Sequence, residues 1–418
     1  MDSPTTHPAV DVAVVGCGAS GQMAAIAAAE ENRQVVLFEQ MDRPGLKILA
    51  SGGGRCNLTN LVEPAAFRSA FGRQGRFTTA AMAAMGPAAL RTLLNRLGVP
   101  TIVSDDLRVY PASERSADVQ AGLQRRIKQL GVTVRLGSPV RRLWIDAGRL
   151  MGVEISTGSR IAAPRIVLAC GGKSWPKLGG TGGGYTLARQ AGLEISELLP
   201  ALVPLVTRER WPGRLAGVSL QQARVWIDLP GQDRAGLTGS VLLTHRGLSG
   251  PAVLDISGRV SELLRQGAVP LQIELTAGVD EAQWAQRLES WRSSAGQHKV
   301  VNLLQEYLPR SLCAVLCELA GVKGQTAVSQ LPATGRDTLA KVLGRLELNV
   351  TDTEGFETAF VTRGGVKLRG VNPNTLECRS LVGLYLAGEL LDLDGPSWGF
   401  NLQWAFASGY LAGKSAAR

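Results

Sequence analysis

No run of apolar residues in this 418-residue chain approaches the roughly eighteen needed to span a bilayer. The first residues, with Asp2, Pro4 and Pro8, lack the basic-then-apolar layout of a secretory signal, so a cytoplasmic protein is expected. The six cysteines, Cys17, Cys56, Cys170, Cys313, Cys317 and Cys378, contain no Cys-x-x-Cys pair, and there are only three histidines. Neither a metal centre nor a disulfide framework is expected from so sparse a set. Lysine and arginine outnumber aspartate and glutamate by 45 to 35, a formal charge of +10, but the arginines are scattered and do not form runs. That argues against a nucleic-acid partner, whereas an anionic cofactor suits the same balance.

The length exceeds one ordinary core and points to two or three domains. Residues 10–15 are a nearly continuous apolar run, as expected of a parallel strand buried on both faces. They lead into Gly16-Cys17-Gly18-Ala19-Ser20-Gly21 and an alanine-rich helix over residues 22–31. Gly16 suits the tight turn, Gly18 lets backbone approach a diphosphate, and Gly21 lets the helix lie close to the strand. A second strand, residues 34–38, ends at Glu39, spaced to accept hydrogen bonds from a ribose hydroxyl. The motif alone leaves NAD and FAD both open.

Lys47, Ser51, Gly52, Gly53, Gly54, Arg55, Cys56 and Asn57 follow. Three consecutive glycines allow close backbone approach to a ligand, and Arg55 offers a fork of donors. The segment is too glycine-rich for a helix and is expected to be a loop draped over a cofactor. Near the other end, residues 383–387 form an apolar strand ending in Gly388-Glu389, before Trp398-Gly399-Phe400-Asn401-Leu402. Two nucleotide-approaching segments this far apart mark a flavin-binding domain split by an insertion.

These segments resemble the BaiN/YhiN-like family of FAD-dependent oxidoreductases, a branch of the glutathione-reductase-type flavoproteins. Arg108-Val109-Tyr110-Pro111, Ala169-Cys170-Gly171-Gly172, Thr244-His245-Arg246-Gly247 and Thr362-Arg363-Gly364-Gly365 extend the resemblance over essentially the whole chain. It implies an α/β fold: a Rossmann-like FAD-binding domain with a parallel sheet at residues 1–199 and 363–418, interrupted by a β-barrel-like domain at 200–278 and 343–362 that carries a helical subdomain at 279–342. The patterning agrees, since Trp284, Leu288 and Trp291, then Val300, Leu303, Leu304 and Tyr307, fall at helical spacing and suit core packing.

The resemblance further implies non-covalent FAD. Gly16, Gly18, Ala19, Ser20, Gly21 and Glu39 would meet its adenosine diphosphate half, with Val140 contacting adenine. Lys47, Ser51, Gly52, Arg55, Cys56 and Asn57, with Ala169, Gly171 and Gly172, would line the cradle. Gly388 and Glu389 would reach the ribityl chain or diphosphate, and the helix near Asn401 and Leu402 would point its N-terminus at the flavin pyrimidine edge, where reduction leaves negative charge. Trp398 departs from the family's Gly-Gly-Tyr triplet and either shapes a pocket over the ring or packs on the barrel domain.

Cys56 stands alone where disulfide reductases of this superfamily carry a pair, so disulfide reduction is not expected. Gly179-Gly180-Thr181-Gly182-Gly183-Gly184 follows Trp175-Pro176 and no apolar strand, so a dedicated nicotinamide domain is missing. NAD(P)H would then dock transiently, or oxygen would take the electrons. The implied substrate is a small organic molecule, undergoing reduction of a conjugated carbon–carbon double bond or oxidation of an amine or amino-ketone. Cys56, His245 and Trp398 are the catalytic candidates, with Tyr110 and Arg363 behind them; a bystander thiol and a turn histidine are the plainer roles for Cys56 and His245. A flavin- and folate-dependent RNA-modifying enzyme and a non-catalytic flavin sensor acting through Cys56 are the competing functions.

Overall fold

The computed structural model describes residues 9–418 and the backbone of a short strand, Thr6–His7, so the reading on Asp2, Pro4 and Pro8 lies outside the described residues. The chain forms two compact units, Met1–Leu198 with Val361–Arg418, and Leu199–Phe360.

The first unit is built on β1 (Val12–Val15), α1 (Ala19–Ala29), β2 (Val35–Phe38), β3 (Thr133–Arg135), β4 (Arg165–Leu168), β5 (Leu384–Leu386) and α2 (Phe400–Ala416). The strands form one sheet in the order β5-β4-β1-β2-β3, every pairing parallel, with Val12 opposite both Val35 and Arg165. All residues of β1 and β2 are buried, which explains unbroken Val, Ala, Leu and Phe where a half-exposed strand would alternate. A parallel sheet sends all its carboxyl ends to one edge. Residues 16–21, 39, 169–172 and 387–389 therefore gather there, the usual ligand edge of open α/β sheets.

Helix α1 is buried along its whole length. A Cβ on Gly409 would stand 2.1 Å from the Ser20 carbonyl oxygen, and one on Gly413 2.2 Å from that of Ala24. Backbones approach so closely only where side chains are missing. Because Ser20 meets Gly409 and Ala24 meets Gly413, α1 and α2 run parallel. Arg33 Nε donates to the Ala417 carbonyl at 2.7 Å, and Lys414 pairs with Glu31, fastening the same two helices at their far ends.

Residues 44–60 differ from the expected loop. Leu46–Ala50 is one helical turn, since its five residues are good helix formers; the glycines follow as a kinked turn with Gly52 and Gly53 in the left-handed region (φ 56° and 66°). Its continuation, Thr59–Asn60, pairs with Arg108–Pro111 in a three-stranded sheet.

The second unit contains a closed antiparallel barrel of six strands, Leu205–Thr207, Gly247–Ser249, Leu237–Leu243, Ser219–Ile227, Val269–Glu274 and Leu346–Thr353 in spatial order. Four α-helices lie between its last two strands, with Trp284, Leu288 and Trp291 buried among them and Tyr307 exposed at the rim. No described helix is long and apolar enough to cross a membrane.

Candidate functional site

At the carboxyl edge of the sheet, Gly16 turns the chain with φ +101°, and a Cβ there would lie 2.4 Å from the Ala169 carbonyl oxygen. A Cβ on Gly21 would lie 1.7 Å from the Gly16 carbonyl oxygen, but one on Gly18 would meet nothing within 4 Å. Gly16 and Gly21 are thus required by packing, whereas Gly18 borders open space. Gly18 caps α1 without any side-chain hydrogen bond, leaving first-turn N–H groups for an anion.

Glu39 stands at the mouth of this turn, its Oε2 accepting from the Cys17 N–H (2.8 Å) and its Oε1 from the Met41 N–H (3.0 Å). Each oxygen keeps a lone pair for a further donor. The Ser138 N–H donates to the Glu39 carbonyl at 2.8 Å, which brings the segment entering Val140 alongside. Ala169 packs beneath the turn, and Gly171 (φ +69°) also borders open space.

Lys47 and Glu389 meet each other, with Lys47 Nζ 2.7 Å from Glu389 Oε2. Glu389 Oε1 accepts from Ser174 Oγ (2.7 Å) and the Thr362 N–H (2.8 Å), while Lys47 also donates to Ser174 Oγ (2.8 Å). Burial alone would raise the Glu389 carboxyl, but the Lys47 charge and these hydrogen bonds hold it below the usual carboxylate range. A Cβ on Gly172 would stand 2.5 Å from Glu389 Oε1, so only glycine fits beside the network. One on Gly388 (φ +73°) would be 2.6 Å from Ser20 Oγ; its N–H donates to Ser408 Oγ at 2.9 Å. Ser174 and Thr362 tie Lys47 and Glu389 into one unit, a role that nothing in the linear sequence assigns to them.

The third part surrounds the start of α2, which Gly399 (φ +91°) opens with no side-chain cap. Asn57, with its amide turned to satisfy both partners, accepts from the Gly399 N–H (3.1 Å) and donates to the Thr59 carbonyl (3.2 Å). It clamps the glycine turn to the helix start. Asn401 does not project outward: its Oδ1 accepts from the Gly395 N–H (2.8 Å) and its Nδ2 donates to the Gly395 carbonyl (2.7 Å), so what this end of α2 offers is backbone N–H. Leu402 is half-buried in the same turn.

Trp398 holds φ +79°, a left-handed conformation unusual for a bulky residue, and its ring lies 4.5 Å under the guanidinium of Arg108. Arg55 turns away from the turn to pair with Glu114 and cover Tyr110 at 4.6 Å, because an opposite charge and a ring face wait there. Ser51 donates to the Ile48 carbonyl at 2.7 Å.

Cys56 is fully buried, and burial pushes its thiol up to about 12; Cys17 and Cys170 are raised likewise. A thiol so placed is not a ready nucleophile or redox handle. His245 is exposed at the bend between Leu237–Leu243 and Gly247–Ser249, in the barrel unit and not among the residues just described. Arg363 pairs with Asp394 at 3.0 Å, and Tyr110 is buried.

These residues suit FAD. Ala19 is one residue before Ser20 and Phe400 nine before Gly409, so α2 starts about eight residues, or about 12 Å, ahead of α1 along their shared direction. Two uncapped helix starts are thus offset side by side, and each leaves first-turn backbone N–H groups that suit an anionic group such as FAD carries.

A family model, described as the HI0933-like protein Rossmann domain, matches residues 10–415. A 3-dehydro-bile acid delta(4,6)-reductase of Clostridium scindens is 35% identical over 97% of this chain and 98% of its own. A ribosomal RNA dihydrouridine synthase of Escherichia coli is 31% identical over 96% of both chains. Among solved structures, a 3-ketosteroid delta1-dehydrogenase from Sterolibacterium denitrificans aligns with TM-score 0.56 at 13% identity, covering 98% of this chain and 100% of that one. A flavocytochrome c3 fumarate reductase gives 0.52 at 18% identity, covering 99% and 78%. At such identities these two speak for the fold alone.

Proposed function

The chain belongs to the HI0933-like Rossmann family and is an FAD-dependent oxidoreductase; we propose that within that class it reduces a carbon–carbon double bond conjugated to a carbonyl group, with NAD(P)H docking transiently as donor. The observation that carries the reading is the offset pair of parallel, uncapped helix starts. The names of both sequence relatives, a delta(4,6)-reductase and a dihydrouridine synthase, support the direction, since each describes a product with a saturated bond.

In this reading the turn from Gly16 to Gly21 binds the diphosphate, Glu39 the adenosine ribose, and the segment at Val140 the adenine. Lys47, Ser174 and Glu389 orient the ribityl side, while the first N–H groups of α2 hold the electron-rich ring edge. A bound flavin supplies hydride transfer. The protein supplies position, charge and exclusion of water. We place the cofactor domain in residues 1–198 and 361–418, and the barrel domain with its helical insert in residues 199–360.

Anaerobic NADH or NADPH should bleach the flavin absorbance of the purified protein, and a conjugated cyclic enone should restore it faster than air does. Bleached protein that air reoxidises and no enone touches would overturn the assignment.

One observation favours a second carrier for the double bond, a pyrimidine within RNA. Residues 64–104 contain Arg68, Arg73, Arg76, Arg91 and Arg96 but no aspartate or glutamate. Phe67 and Phe71 root this segment on Phe400 in the first turn of α2, with ring centroids 5.0 and 6.3 Å away. Retention of the protein on ribosomal RNA, lost steeply as salt rises, would support that carrier over a free small molecule.

A further inference from the structure

Arg108–Pro111 has no role in holding the cofactor as assigned above, yet it touches the start of α2. Alternation along the strand places Arg108 and Tyr110 on one side and fully buried Val109 on the other. Arg108 is fixed from several directions. Its Nη2 pairs with Asp106, its guanidinium lies 4.5 Å over the Trp398 ring, and Asn60 sits opposite it in the strand pair. The pairing with Asp106 outweighs burial and holds the guanidinium firmly charged.

Two features of this contact run against stability. The Arg108 Nε–H is buried with no hydrogen-bond partner, and Trp398 holds a left-handed backbone at φ +79°. Unpaired buried donors and strained residues concentrate where a ligand completes the site. Here they meet in one stack beside α2, Trp398 directly preceding the Gly399 cap and Arg108 lying on its ring.

We propose that Arg108, aligned by Asp106 and backed by Trp398, receives the carbonyl oxygen of the substrate and stabilises the negative charge that develops on it. This rests on the double-bond reduction assigned above. The carbon β to the carbonyl accepts a hydride, two electrons and one proton, from the NAD(P)H-reduced flavin. Its C=C π pair shifts toward the carbonyl, whose own π pair moves onto oxygen, giving an enolate. A proton from water then adds to the α carbon as the carbonyl reforms. A guanidinium held by Asp106 and stacked over an indole is charged and positioned before the enolate oxygen develops its charge.

The test uses para-chlorophenol, whose phenolate mimics the charged oxygen and forms a long-wavelength charge-transfer band with oxidised flavin. FAD-loaded wild type should show the band, with the phenol ionising at lower pH than in water. Arg108→Gln should bind phenolate at least about tenfold more weakly at equal FAD content, and Arg108→Lys should fall between them. Equal binding by wild type and Arg108→Gln overturns the proposal, as does a wild type with no band. Should Arg108→Gln lose FAD, Arg108→Lys decides: loss of FAD there as well marks Arg108 as a structural strut and overturns the assignment. Failure of the reduction reading looks different, because phenolate would still bind while no enone reoxidises the flavin.

Discussion

Replacing Trp398 by glycine and by alanine separates its side chain from its backbone. Either change removes a half-buried indole, on the order of 100 Å² of apolar surface and roughly 2.5 kcal/mol. Either also removes the stack under Arg108, worth about 0.5–1 kcal/mol. The two variants differ in what φ +79° costs them and in the freedom of their unfolded chains. Alanine pays roughly 1–2 kcal/mol in the left-handed region and glycine nothing. Glycine loses about 0.5–1 kcal/mol through its freer unfolded chain. Trp398→Gly should therefore be the more stable variant by about 0.75 kcal/mol at the middle of these ranges, the reverse of the usual order. Urea unfolding of FAD-loaded protein followed by circular dichroism measures this, and Trp398→Ala matching or exceeding Trp398→Gly would refute it. In a series of enones of increasing bulk, Trp398→Gly should raise turnover of the larger ones relative to the smaller. A variant that sheds flavin yet keeps its size preference would place Trp398 in the cofactor cradle instead.

Gly18→Val should abolish FAD retention without unfolding the sheet, because the added side chain enters open space at the α1 start; yellow protein after gel filtration would contradict this. Glu39→Ala should weaken FAD binding by roughly 1.5–3 kcal/mol, read by calorimetry on the apoprotein, and unchanged affinity would count against the ribose contact. Glu389 titrates below the usual carboxylate range, so its contribution to the cradle is present above ordinary carboxylate pKa values and is lost only as pH falls through its depressed one. In Lys47→Met burial prevails and the carboxyl rises, so FAD release on acidification should begin at higher pH than in wild type; identical release curves would refute the ion pair. Cys56 in native protein should resist N-ethylmaleimide at mildly alkaline pH, checked by peptide mass spectrometry; rapid labelling would restore the thiol-sensor reading.

Local chemistry made the nucleotide half legible. An apolar strand, glycines at fixed offsets and an acid at the end of the next strand each follow from short-range steric needs, and β1, α1, β2 and Glu39 stand where those needs put them. What escaped the sequence depends on contacts between distant segments. Lys47 and Glu389 could be singled out separately, but their pairing requires the fold to bring positions 342 apart within 2.7 Å. Asn401 was legible as a helix-start residue, not as a clasp on Gly395. The helical turn at Leu46–Ala50 was hidden by the glycines beside it, and no linear pattern announces that Arg108 stacks on Trp398.

The parallel seating of α2 on α1 also bears on how the protein is made. Strand β5 and helix α2 supply the sheet edge beside β4 and the groove for Ser20 and Ala24, and both are translated only after the whole inserted unit, Leu199–Phe360. Until then the nascent sheet presents an unpaired edge, and α1 shows bare alanine and backbone to water, surfaces prone to misassembly. A cradle closed by a contact spanning 342 positions cannot take up its flavin during translation of the N-terminal half. Cofactor loading is in this sense a timing signal, marking chains whose synthesis has run through α2.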